Sequence, residues 1–312
     1  MRVAVTGASG FVGGAVCRAL ASEVTRVFAY GRRPSVPSEH VGGAPYISWD
    51  MTHGPLRDAP VVDAVIHCAG SVTDWGPVEG FFHTNLDGTK NVLASFPEAR
   101  FVHVSTASVY DPYRPTVMAV EAEAPVTRYM NGYGASKAAA ERAVFTAMRE
   151  RPAVILRPHA VYGPGDTTLL PRVLSAVRGP ILPAVGDGRQ RVSLTSLDNL
   201  VRACLLAALG PVDSGVYNVT DAAPVLLHDA LHWILAERRV RARPVYLPLR
   251  AVLPLATVVE GAFLVARRPE PPRLTRYALT HLAVERTLDI SAARKALGYT
   301  PAPTSFTGAS TW

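Results

Sequence analysis

Tyr133 and Lys137 stand four residues apart in "NGYGASKAAA" (131–140), and Lys137 is one of only three lysines among 32 basic residues. On a helix, this spacing puts both side chains on one face. A phenol beside a desolvated ammonium has its pKa lowered, because the positive charge favours phenolate. Such a tyrosine can donate or accept a proton near neutral pH. The ammonium is a compact charge with three rotatable donors, able to hold ribose hydroxyls while facing the phenol, whereas a guanidinium offers a fixed planar fork. That difference is a physical reason for Lys in a chain that nearly always uses Arg.

A second chemical feature is "RVAVTGASGFVGGAV", which sets Gly7, Gly10 and Gly13 between a first strand and a first helix. Gly7 permits the tight turn, Gly10 the approach of backbone to a pyrophosphate, and Gly13 close packing of helix on strand. The helix N-terminus adds free N–H groups and the positive end of a dipole. Cofactor choice is read at the end of the second strand, "AYGRRPS", where Arg32 and Arg33 replace the acid that would accept from a ribose 2′-hydroxyl. Two guanidiniums suit a 2′-phosphate, so the expected cofactor is NADP(H) in preference to NAD(H).

These groups need a scaffold. Strand-like runs at 2–6, 24–30, 61–67, 100–105 and 153–158 alternate with helical stretches at 11–22, 76–95 and 132–149. Continuous apolar strands alternating with helices predict an α/β fold, a doubly wound parallel (Rossmann) sheet. Beyond Pro158 the pattern loosens into a helix near 168–178, a strand at 189–194, a helix at 197–209, a strand at 215–219 and further helices. The expected division is a nucleotide-binding domain over 1–157 and a smaller C-terminal α/β substrate lobe over 158–312, with 189–219 returning to the large domain.

Composition narrows the classes. A chain of 312 residues, 48% hydrophobic, can bury a large core. The net charge of +7 is scattered, with no basic tract to mark a nucleic-acid arm. Cys17, Cys68 and Cys204 are far apart in sequence, which suggests neither a disulfide framework nor a metal site and fits a reducing cytoplasm. There is no secretory leader pattern, and the most apolar run, 247–266, is interrupted by Arg250, Pro254 and Glu260, so a packed or surface helix is expected there.

The sequence resembles the extended short-chain dehydrogenase/reductases, the NAD-dependent epimerase/dehydratase group, over nearly its whole length. "TGASGFVG" is similar to that family's cofactor loop and "YGASK" to its Tyr-Lys pair, while "VHVSTASVYD" is similar to the strand bearing its catalytic hydroxyl. The resemblance implies Tyr133 as acid/base, Lys137 as its partner, Thr106 as the hydroxyl residue, with Ser105 and Ser108 as competitors, and Asn85 in "NLDGTKNVL" as a structural and proton-relay residue. It implies cofactor contacts from Gly7, Ser9, Gly10, Phe11, Val12 and Gly13, from Arg32 and Arg33, and from Asp50 and Met51. Further cofactor contacts would come from Cys68, Ala69 and Gly70 in "HCAG", and from Pro158, His159 and Val161 in "LRPHAVYGPGD". Thr73, Trp75, Ser108 and His159 are the expected substrate contacts.

The finer resemblance is to 3β-hydroxysteroid dehydrogenase-like and 2-alkyl-3-oxoalkanoate reductase-like members. With the apolar 247–266 run as cover, it implies an NADP(H)-dependent ketoreductase or alcohol dehydrogenase acting on a hydrophobic ketone, with secondary metabolism as the expected setting. The alternatives are a nucleotide-sugar epimerase, which would hold NAD, and a non-catalytic cofactor-binding regulator. A small-molecule substrate, no nucleic acid, no transmembrane segment, no metal, and a monomer or homodimer complete the expectation. His228 and His232 share a helix face without an accompanying acid motif, and read as surface.

Overall fold

In the computed structural model the described residues are 1–23, 26–266, 268, 270–272 and 275–312. Residues 24 and 25 of the predicted second strand lie outside them. In chain order the first elements are β1 (Arg2–Thr6), α1 (Phe11–Leu20), β2 (Arg26–Gly31), β3 (Tyr46–Ser48), β4 (Ala64–His67), α2 (Val78–Phe82), α3 (Gly88–Ser95), β5 (Arg100–Val104), β6 (Thr116–Ala119), α4 (Gly132–Ala147) and β7 (Ala153–Pro158). There follow β8 (Val161–Tyr162), α5 (Leu169–Ser175), β9 (Ile181–Val185), β10 (Arg191–Val192), β11 (Thr195–Ser196), α6 (Leu197–Leu209) and β12 (Gly215–Val219). The last are β13 (Val225–Leu226), α7 (Leu227–Glu237), β14 (Arg243–Leu247), α8 (Leu249–Val265), α9 (Arg276–Ala283), β15 (Arg286–Leu288) and α10 (Ser291–Leu297).

Among the described residues the largest sheet has seven strands, all parallel, in the order β3-β2-β1-β4-β5-β7-β12. Period-two alternation sends Val3, Val5, Ile66, Val102, Val154 and Leu156 to one face, against Val16 and Leu20 of α1 and Leu200 and Cys204 of α6. Ala4, Val65, Phe101 and Ile155 face the other way, against Val92 and Leu93 of α3 and Val144 of α4. Both faces are therefore covered, the condition for a parallel sheet. The chain builds outward from β1 in one direction and then from β4 in the other, so the β1/β4 boundary is the switch point where open α/β sheets bind ligands.

The C-terminal part assembles from small sheets. One runs β13-β10-β15-β6, one pairs β11 with β8, and one pairs β14 with β9 in parallel. Three differences from the sequence expectation arise here. The strand expected at 189–194 is only Arg191–Val192, the helix near 168–178 is Leu169–Ser175, and β13, β14 and β15 fall where helices alone were expected. These strands are two to five residues long, too short to show a period, and β14 carries Pro244 at a two-stranded edge. The run 247–266 is helical as α8, yet only Ala256 and Glu260 are buried in it. Leu255, Val258, Leu264 and Val265 are 60–87% exposed. Most of the apolar surface expected to cover a ligand therefore faces outward.

Candidate active site

The glycine loop leaves β1 and turns into α1 with Gly7 at φ +71°, a left-handed conformation that favours glycine. A Cβ on Gly7 would lie 2.6 Å from the Ala69 nitrogen, and one on Gly13 would run into the Gly7 carbonyl. The loops after β1 and β4 thus touch backbone to backbone, bringing Cys68, Ala69 and Gly70 beside the cofactor loop. Gly10 caps α1 with no side-chain hydrogen bond, and its own N–H is taken by the Gly7 carbonyl at 2.9 Å, so the N–H groups of the first helical turn, from Phe11 and Val12 onward, are the uncapped ones. Phe11, partly buried, faces the loop at Gly165. This cradle, which larger side chains would fill, fits a dinucleotide pyrophosphate.

Past β2, Arg32 and Arg33 are exposed, and the Arg33 carbonyl accepts from the Tyr46 hydroxyl at 2.8 Å. Asp50 caps the turn Met51–His53, accepting from the Thr52 N–H at 2.9 Å and the Thr52 hydroxyl at 2.7 Å. Desolvation would raise its pKa, but the Thr52 hydrogen bonds, His53 and Arg32 together hold the carboxyl below its usual range. Met51 is buried against Gly88 and its carbonyl accepts from Asn91 at 2.8 Å, so it shapes the floor of this region.

Asn85 sits in a π-helical turn, His83–Asp87, between α2 and α3. Such turns re-aim a side chain out of helical register and are frequent at functional sites. Its Oδ1 accepts from the Ser71 N–H at 2.7 Å, while Nδ2 donates to the Ser71 carbonyl at 3.1 Å and the Ser136 hydroxyl at 2.9 Å. The loop after β4 is thereby tied to α4, one residue before Lys137.

Helix α4 begins at Asn131, whose side chain accepts from the Gly134 N–H at 3.0 Å. Tyr133 comes one turn before Lys137. The Tyr133 phenol is raised above its ordinary pKa by burial, partly offset by a hydrogen bond with the Thr106 hydroxyl. Thr106 hydrogen-bonds Ser108 at 3.1 Å, and Ser108 meets the Tyr277 hydroxyl of α9 at 2.6 Å. Four hydroxyls thus connect Tyr133 to the C-terminal segment. Ser105 turns the other way and donates to Glu141 at 2.5 Å. Of the three candidate hydroxyls, Thr106 is the one beside the phenol.

Lys137 departs from the expected arrangement. Its ammonium donates to the Val104 carbonyl at 2.7 Å and lies 3.4 Å from His103 Nε2, at the end of β5. Burial lowers its pKa from 10.5 to about 8, against the opposing pull of Glu141 and Cys68. The expected lowering of Tyr133 by Lys137 is accordingly replaced by a rise: desolvation of the phenol outweighs its stabilising contacts.

His159, at the end of β7 after Pro158, is buried; its Nδ1 meets the Ser193 carbonyl at 2.5 Å and its Nε2 meets His281 Nε2 at 3.1 Å. Both imidazoles are held below their usual range by burial, His159 at about 4. With Ser108, Tyr277 and Arg286 they line a cavity whose volume for the centre of a water is about 10 Å³, room for roughly one molecule. Val161 follows in β8, paired with Thr195. Thr73 and Trp75 do not line this cavity, though their loop reaches α9: Thr73 is exposed, Trp75 packs edge-on against Phe263 at 6.4 Å, and Asp74 between them pairs with Arg172 at 2.8 Å and accepts from the Thr275 hydroxyl at 2.9 Å. Their loop is clasped by α5 and α8.

Several buried groups escaped the sequence reading. His67 and His103 are register partners in β4 and β5, with rings 5.3 Å apart. Their signal was a histidine at or near the end of each apolar strand, in "VIHCAG" and "FVHVS". The three cysteines also converge: Cys68 hydrogen-bonds Cys204, which with burial raises its pKa, and burial pushes Cys17 up to about 12. His228 and His232, expected at the surface, are exposed on α7 with their rings 4.4 Å apart and tilted by 53°. Among the described residues no group of three or more His, Cys, Asp or Glu side chains is arranged to hold a metal ion.

A doubly wound sheet with a glycine cradle at its switch point, and a tyrosine and lysine on the helix beside it, defines a dinucleotide-binding protein of the short-chain dehydrogenase/reductase type. The chain belongs to the NAD dependent epimerase/dehydratase family, which it matches over residues 3–220. It is 31% identical to the 2-alkyl-3-oxoalkanoate reductase of Stenotrophomonas maltophilia, over 96% of this chain and 95% of that protein. MoeE5, solved with UDP-glucose and NAD, is similar with a TM-score of 0.74 and 24% identity over 100% of this chain and 97% of its own. The UDP-glucuronic acid 4-epimerase of Bacillus cereus, solved with UDP-glucuronic acid and NAD, has a TM-score of 0.72 and 22% identity, covering 97% of this chain and 95% of that one.

These structures overturn two expectations. The NADP(H) reading is overturned by MoeE5 and the Bacillus cereus epimerase, which share this fold over nearly the whole chain and were solved with NAD. Its physical basis was also thin: both arginines are exposed to solvent, and the Arg32 charge already acts on the nearby Asp50 carboxyl. The NADP(H)-dependent ketoreductase on a hydrophobic ketone fails with it, since the matching structures hold UDP-sugars and the apolar α8 turns largely outward.

Proposed function

We propose that this protein is an NAD-dependent enzyme that oxidises and re-reduces a carbinol carbon of a nucleotide sugar, with Tyr133 as acid/base. The observation that carries this reading is the meeting of Tyr133 with Thr106, just after β5, on the helix whose Lys137 reaches the end of β5 and lies by Gly70, in the loop that packs against the Gly7 turn. NAD, when bound, supplies the hydride acceptor and donor. As its phenolate, Tyr133 takes the hydroxyl proton and, as the phenol so formed, returns it, Thr106 orients the reacting oxygen, and Lys137 offers ammonium protons to the ribose. Gly10 to Val12 meet the pyrophosphate, and Asn85 holds the loop of Cys68, Ala69 and Gly70 in place.

The nucleotide-sugar class is supported by likeness of fold along the whole chain to MoeE5 and the Bacillus cereus epimerase. The finer kinship we assign within the family is to the 2-alkyl-3-oxoalkanoate reductases and 3β-hydroxysteroid dehydrogenases, from sequence identity alone. The domain division we assign is 1–157 and 158–312 with 189–219 returning to the large domain, and the packing of α6 and β12 onto the large sheet supports that return. Among the described residues no helix is long and apolar enough to cross a membrane. With free thiols at Cys17, Cys68 and Cys204, we place the protein in the cytoplasm as a monomer or homodimer.

The test is incubation with NAD and a panel of UDP-hexoses and UDP-uronic acids, followed by proton NMR. An inverted carbinol centre is expected for at least one of them. Turnover of 2-alkyl-3-oxoalkanoates or steroid ketones, with every nucleotide sugar unchanged, would overturn the substrate assignment.

A further inference from the structure

The chemistry above makes no use of His103, although this imidazole lies against Lys137. His103 is fully buried, its Nε2 is 3.4 Å from Lys137 Nζ, and its Nδ1 has no partner among the described residues. An ammonium has only protons to offer, so Nε2 must present its lone pair, which puts the ring proton on Nδ1.

The neighbouring imidazole is accounted for separately. Thr89 donates its one hydroxyl proton to the Asn85 carbonyl at 2.5 Å, so at 2.9 Å it accepts from His67 Nε2–H. His67 Nδ1 then accepts from the Thr6 hydroxyl at 2.6 Å. Neither ring nitrogen of His67 is left for His103. The other titratable groups around Lys137 are Cys68 after β4, with Cys204 of α6 behind it, and on α4 Tyr133 one turn before and Glu141 one turn after. Glu141 is itself bound by Arg157 and Ser105.

We propose that His103, as the neutral Nδ1–H tautomer, is a positioning residue: its Nε2 and the Val104 carbonyl together hold the Lys137 ammonium at the end of β5, where its charge acts on Tyr133 and its remaining protons serve the cofactor. An apolar residue at this strand position would pack equally well but would leave a buried ammonium with one acceptor in place of two. The proposal rests on the Tyr133–Lys137 reading for its consequence, though not for its geometry.

The geometry is tested by nitrogen-15 NMR of the histidine rings in the unliganded protein. His103 is expected to show protonated Nδ1 and hydrogen-bonded Nε2, unchanged from about pH 5 to 7, with the Nε2 resonance moving as Lys137 loses its proton and in Lys137→Met. An Nε2–H tautomer, or a ring that titrates, would overturn the proposal. The consequence is tested with His103→Leu and His103→Gln, the latter keeping an acceptor oxygen. His103→Leu is expected to weaken NAD binding about fivefold and to move the alkaline limb of the kcat profile upward by about half a pH unit, because an under-solvated lysine supports phenolate less. His103→Gln should restore both within twofold. Profiles of His103→Leu and wild type that superimpose would overturn it. Failure of the acid/base reading itself appears elsewhere, as turnover retained in Tyr133→Phe, and leaves the tautomer measurement untouched.

Discussion

Arg157 and Glu141 meet at 2.7 Å with both side chains fully buried, joining β7 to the helix that carries Tyr133 and Lys137. The guanidinium also donates to the carbonyls of Glu121 and Ala124, at 2.8 and 3.1 Å. Ser105 adds a third segment to the same carboxylate. Helix α4 is thus anchored one turn behind the lysine. Removing one partner of such a pair leaves a buried charge uncompensated. Glu141→Gln and Arg157→Met are each expected to lose about 3–5 kcal/mol in urea unfolding, and the double variant Arg157→Met/Glu141→Leu less than their sum.

Tyr133→Phe keeps the ring and removes the transferable proton. Turnover should fall by about 10²–10⁴-fold, while NAD affinity measured by calorimetry stays within about twofold.

Lys137 is charged at a cost. Its pKa falls from 10.5 to about 8 through burial, so between those pH values the unfolded chain binds more protons and this group's contribution to stability rises with pH. Below pH 8 the full penalty is present. Lys137→Met is therefore expected to be more stable than wild type at neutral pH, by on the order of 2 kcal/mol, while inactive. The gap in urea midpoints should narrow toward pH 10.

Three buried imidazoles and the partly buried His281 set the acid limit. His67 is pushed down to about 3 and His159 to about 4, and His103 and His281 are also held well below 6.5, all mainly by desolvation. The unfolded chain takes up protons below pH 6.5 that the folded chain refuses, so stability present above that value is lost on acidification. Each imidazole is expected to cost about 1 kcal/mol per pH unit below 6.5. Urea titrations at pH 7 and pH 5 check this, and equal midpoints would contradict it.

The large sheet was legible because its strands are long enough to alternate or run apolar, and because Gly7, Gly10 and Gly13 sit where only a strand-turn-helix can use them. The pair Tyr133 and Lys137 was legible from spacing. What Lys137 touches was not: its partners Val104 and His103 are set by the register of β5 against α4, a tertiary relation with no local pattern. The same holds for Tyr277, which reaches Ser108 across 169 positions of sequence. Cofactor choice was misjudged because two arginines in sequence say nothing of the solvent and the acid that surround them.

The account's central claim is an oxidation step at NAD governed by Tyr133. Rapid mixing of the protein with NAD and a UDP-sugar deuterated at the reacting carbon tests it most directly, read by the absorbance of reduced nicotinamide. A transient rise, slowed by the deuterium and absent in Tyr133→Phe, is predicted. No transient with NAD, together with steady oxidation of NADPH by a ketone, would contradict the account.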